Sequence, residues 1–103
     1  MLIEEIKEAL PNIKIMILEP FVLKGPATEE NWDEFYSETK LRAQSVKEVA
    51  EKYNLSFVPL QDKFNEATKD TETTYWLADG VHPTPAGHNL IAKELVTEFE
   101  KIK

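Results

Sequence analysis

The chain has 103 residues, 42% of them hydrophobic and 30% charged, with a formal net charge of −7. That describes one domain or part of one with a modest core, and it excludes a disordered acidic chain, a collagen-like repeat and a low-complexity tract. The absence of cysteine removes disulfide scaffolds, thiolate-bound zinc and thiol nucleophiles and leaves the compartment open, while the acidic surface disfavours nucleic acid and anionic membranes as partners.

Leu2, Ile3, Ile6, Ala9 and Leu10 recur at helical spacing, so residues 2–10 are predicted to form an amphipathic helix stopped by Pro11. Its first residues include Glu4 and Glu5, acids where a secretion signal would carry bases. Residues 13–18, IKIMIL, form a short β-branched run that reads as a buried strand. The longest apolar run, Ile15 to Leu18, is far shorter than the ~18 residues of a membrane span. Residues 19–30 carry Pro20, Gly25 and Pro26 and form a loop at that strand's C-terminal end. A long helix follows, with Asn31 and Glu34 in capping-box positions. Trp32, Phe35, Tyr36, Thr39, Ala43, Val46, Val49, Ala50 and Tyr53 share one face, which is expected to be core, and Asn54 is suited to a left-handed stop. Leu55 to Val58 reads as a second strand, and Leu60, Phe64 and Ala67 as a short helix. Residues 70–84 read as a polar loop with aromatic residues. Thr84 caps and Pro85 opens a last helix that buries Ile91, Leu95, Phe99 and Ile102.

Helix and strand alternate, which implies an α/β fold with parallel strands joined by right-handed crossovers. Two short strands are few for a parallel sheet, which normally has several strands and both faces covered. Residues 1–103 are therefore expected to be part of a larger sheet.

Both histidines lie in the stretch Asp79-Gly80-Val81-His82-Pro83-Thr84-Pro85-Ala86-Gly87-His88. A turn through Gly80 would fold the Asp79 carboxylate onto the Nδ1–H of His82. That bond would fix the tautomer and leave Nε2 free to take a proton. Two other readings stay open: Asp79 caps a turn while His82 packs on Trp76, or Asp79, His82 and His88 ligate a metal with water as the fourth ligand. The metal set lacks the i, i+4 spacing of helical zinc sites, and no cofactor is called for. Glu19 ends the first strand, on the sheet edge where α/β proteins place their sites, and is a candidate substrate contact. Trp76 either walls a substrate pocket or anchors its loop.

The stretch from Tyr75 to His88 closely resembles the last sequence block of the SGNH hydrolases, or GDSL esterases, which has the form DGxHP before a small-residue helix start. Ile15 to Phe21 resembles that family's fourth strand with its proline loop, and Leu55 to Leu60 its last strand. The resemblance implies a flavodoxin-like three-layer α/β/α sandwich, of which this chain would be the C-terminal half with about two strands. It implies that His82 is the general base and Asp79 its partner in hydrolysing a small ester through an acyl-enzyme. The DGVHPTPAGH ending looks most like bacterial members related to sugar-ester deacetylases. The family's serine sits in a GDSL-like turn, and an asparagine and a glycine amide build its oxyanion hole. Here the serines are Ser37, Ser45 and Ser56, none in such a turn, and no GxND is present. The chain alone is therefore expected to be inactive. Its bare sheet edge is expected to take the missing N-terminal half or to drive self-association. The remaining reading is a small non-catalytic α/β interaction module.

Overall fold

A computed structural model describes residues 2–102. In chain order the elements are α1 (Leu2–Ala9), β1 (Met16–Leu18), α2 (Trp32–Lys52), β2 (Ser56–Val58), α3 (Gln61–Ala67), α4 (Thr73–Trp76) and α5 (Pro85–Ile102). β1 and β2 pair in parallel, with Met16 opposite Ser56, Ile17 opposite Phe57 and Leu18 opposite Val58. The predicted alternation is therefore present, with both strands shorter than the apolar runs that announced them. Asn54 has the positive φ, 55°, expected of a residue that turns the chain out of α2.

Alternation along the strands sends Met16 and Val58 to one face and Ile17 and Phe57 to the other. The first face carries the core: Leu23, Val58, Leu60, Phe64 and Leu77, with Leu90, Ile91 and Leu95 of α5 packed against them. α2 also packs on β2 and takes the second face, giving helix, sheet and helix layers. α1 is tied to the end of α2, where Lys7 Nζ donates to Tyr53 O at 2.6 Å and the Tyr53 hydroxyl meets Glu4.

Three expectations are corrected. The Asn31 capping box is absent: Asn31 lies at φ −121°, ψ 41°, outside extended geometry, and its side chain makes no capping bond. Phe35 and Phe99 sit on the predicted apolar faces yet are 40% and 49% exposed. The 70–84 loop contains the helical turn α4, whose peptide supports the start of α5. Thr84 Oγ1 donates to Tyr75 O at 2.6 Å and accepts the Gly87 N–H at 3.1 Å, so the predicted Thr84 cap does form.

Candidate active site

The chain approaches α5 through a pinched loop. Leu77 and Pro83 form a single antiparallel bridge, and Ala78 N–H donates to His82 O at 2.9 Å. The pinch leaves Asp79, Gly80 and Val81 at its tip, and Gly80 takes φ 99°, a region that L side chains avoid.

Asp79 folds back over this tip. Its Oδ1 accepts the Val81 N–H at 2.9 Å and the His82 N–H at 2.8 Å. Its Oδ2 lies 2.7 Å from His82 Nδ1. The three-residue spacing that singled out the pair is thus the reach of one carboxylate over a tight turn. The hydrogen bonds from His82, main chain first and then imidazole, together with the Val81 amide, hold the Asp79 carboxyl below the usual carboxylate range. An ionised carboxylate only accepts, so Nδ1 is the donor in this contact, and in a neutral imidazole the lone pair is then on Nε2. The His82 side chain is 80% exposed and that of Asp79 34%, so the outer ring nitrogen faces open space while the inner one is held.

Glu19 and Trp76 are elsewhere in the hydrogen-bond scheme. Glu19 Oε1 accepts the N–H groups of Leu60 and Gln61 at 2.9 and 2.8 Å, so the carboxylate closes the N-terminus of α3. Trp76 packs against the core cluster, its ring edge-on to Tyr75 at 4.9 Å, with Nε1 buried and without a partner. Neither side chain bonds to the Asp79–His82 pair. The turn cap that the second reading gave Asp79 is present in its bonds to the Val81 and His82 amides, and it coexists with the contact to His82 Nδ1. His88 lies in the first turn of α5, and among the described residues no group of three His, Asp or Glu side chains gathers as a metal site. Ser45 Oγ bonds Leu41 O within α2, Ser37 is on that helix's exposed side, and Ser56 is in β2; none bonds His82.

Sequence reasoning missed Thr28 and Gln61. Both are buried and both hold the loop that meets Asp79. Their partners lie outside any short motif, so only the loop's Gly25-Pro26 pair hinted that it was shaped.

The model of the GDSL-like lipase/acylhydrolase family matches residues 1–90. The chain belongs to this family. It is 31% identical over 93 residues to an acetylxylan esterase from Geobacillus stearothermophilus, covering 89% of this chain and 41% of that protein. It superposes on a GDSL-like lipase from Parabacteroides merdae with a TM-score of 0.88 and 35% identity, over 96% of this chain and 45% of that one. The crystal structure of the Geobacillus esterase gives 0.72 at 28% identity, over 94% and 43%. The chain thus spans less than half the length of these relatives, and its fold is part of the flavodoxin-like fold of GDSL hydrolases.

Proposed function

We propose that this chain is the acid–base half of a serine esterase site, in which Asp79 and His82 activate a serine carried by polypeptide beyond residues 1–103. The observation that carries this reading is the 2.7 Å contact between Asp79 Oδ2 and His82 Nδ1 in a member of the GDSL-like family. With Nδ1 held, Nε2 takes the proton of the serine hydroxyl as its oxygen attacks the ester carbonyl. Asp79 stays ionised and stabilises the imidazolium. That imidazolium then gives its proton to the leaving alcohol. Water repeats the sequence on the acyl-serine, with His82 again the base, and releases the acid. The likeness to an acetylxylan esterase supports an acetylated carbohydrate as the ester.

The serine-bearing segment is proposed to dock on the open edge of β1. Ser56 N donates to Ile15 O and Glu19 N donates to Val58 O. Parallel pairing therefore turns the amides and carbonyls of Met16 and Leu18 outward, beside a Leu18 side chain that is 40% exposed. The accessible surface is 7027 Å², whereas a folded monomer of 11.9 kDa presents about 5,900 Å². The excess, about 1,100 Å², is of the size one partner contributes to a stable interface, about 800 Å². Without that segment, the chain associates with itself through the same edge.

The test is hydrolysis of p-nitrophenyl acetate by the chain alone and by a chimera in which it replaces the matching part of the Parabacteroides protein. The chain alone is expected to be inactive and the chimera active. A folded chimera with no turnover, beside an active parent, would overturn the assignment.

A further inference from the structure

Asp79 is held through its main chain as well as its carboxylate. Its carbonyl accepts the Ala27 N–H at 2.9 Å, and the next carbonyl, that of Gly80, accepts the Leu23 N–H at 2.9 Å. Both donors belong to the 22–28 loop. Thr28, with no exposed surface, closes that loop on itself: Oγ1 donates to Leu23 O at 2.7 Å and accepts the Gly25 N–H at 2.9 Å. The loop's first residue is fixed by Gln61, whose side-chain amide bonds both the N–H and the C=O of Val22 at 2.8 Å each. The fit has no slack. A methyl group on Gly25 would come within 2.8 Å of the Asp79 carbonyl carbon, and one on Gly80 within 2.4 Å of Leu23 O.

We propose that Thr28 is a positioning residue for the Asp79–His82 pair: its hydroxyl fixes the 22–28 loop, the loop fixes the main chain of Asp79 and Gly80, and that main chain aims the carboxylate at His82 Nδ1. The proposal rests on the reading of Asp79 and His82 as a working pair. A hydroxyl is required because it gives Leu23 O a donor and the Gly25 N–H an acceptor where water does not reach. Without it, these groups find partners only if the loop shifts. A displacement of about half an ångström at Asp79 is enough to spoil a charge-assisted bond of this length.

The experiment is ¹⁵N NMR of the His82 ring at about pH 8, where the neutral imidazole reports its tautomer. The wild-type chain is expected in the Nδ1–H form. Thr28→Val is expected to lower the ratio of Nδ1–H to Nε2–H forms about tenfold or more, and Thr28→Ser, which keeps the hydroxyl, to restore it. Ala50→Gly, which loosens α2 without touching the loop, is expected to leave the ratio unchanged. A folded Thr28→Val with the wild-type ratio would overturn the proposal. A wild-type ring lacking the Nδ1–H form would instead overturn the reading of the pair. Should Thr28→Val not fold, scalar couplings across the Leu23–Gly80 and Ala27–Asp79 hydrogen bonds test the clamp in the wild-type chain. Their presence there and in Thr28→Ser supports it, and their absence overturns it.

Discussion

The two oxygens of Asp79 do different work. Oδ1 takes two main-chain amides and shapes the turn, and Oδ2 is left for the imidazole. Asp79→Asn keeps an oxygen for the turn but sets an NH₂ donor against Nδ1, which favours the wrong tautomer. In the active chimera this change is expected to lower kcat about a thousand-fold or more with the fold retained, read from turnover and circular dichroism together. The same bonds fix the sign of the pH response. A carboxyl held below its unfolded value near 3.9 contributes stability that is complete above that value and is lost only as pH falls further, through the lower folded value. A ¹³C titration of the Asp79 carboxyl is expected to show no protonation step at pH 4; a midpoint there would mean the three hydrogen bonds do not form in solution.

At the scale of elements, one line of contacts runs from β1 to the site. Glu19 closes the N-terminus of α3, Gln61 in its first turn binds Val22, and the loop after Val22 meets Asp79 and Gly80. Glu19→Ala is therefore expected to cost about 1–2 kcal/mol, read as a lower Tm, by leaving two amides at a helix start without an acceptor. An unchanged Tm with a raised KM in the chimera would return Glu19 to the substrate contact that its place in the sequence suggested. Gly80→Ala combines a left-handed φ with a clash on Leu23 O and is expected to destabilise the chain by more than about 1 kcal/mol in denaturant unfolding. Much of this scale was legible in the residues. The apolar runs announced both strands, Asn54 the end of α2, and the DGxHP stretch the turn before α5. What was hidden depends on pairs distant in sequence: Glu19 with Leu60, Gln61 with Val22, Thr28 with the Asp79 loop. Helical period marks an apolar face without saying what lies opposite it, which is why Phe35 and Phe99 were expected in the core and are exposed. Asn31 had the residue type of a cap, but the turn leading into α2 does not give it cap geometry.

The whole molecule is slab-shaped, 43 × 27 × 17 Å, with a radius of gyration of 15.1 Å against about 13 Å for a compact domain of this length. Its apolar core lies mainly on the α5 side of a two-stranded sheet, in which, among the described residues, β1 pairs with β2 alone. Analytical ultracentrifugation of the chain alone is expected to show association that strengthens with concentration, and Leu18→Lys on the edge strand to weaken it. A stable monomer at high concentration would count against the open edge as a docking surface. The catalytic claim has a sharper test in the chimera, where the serine and the Asp79–His82 pair share one chain. Hydrolysis of p-nitrophenyl acetate by His82→Ala is expected to fall about a thousand-fold or more below that of the unaltered chimera. Turnover retained within about tenfold in a folded His82→Ala chimera would contradict the assignment of His82 as the base.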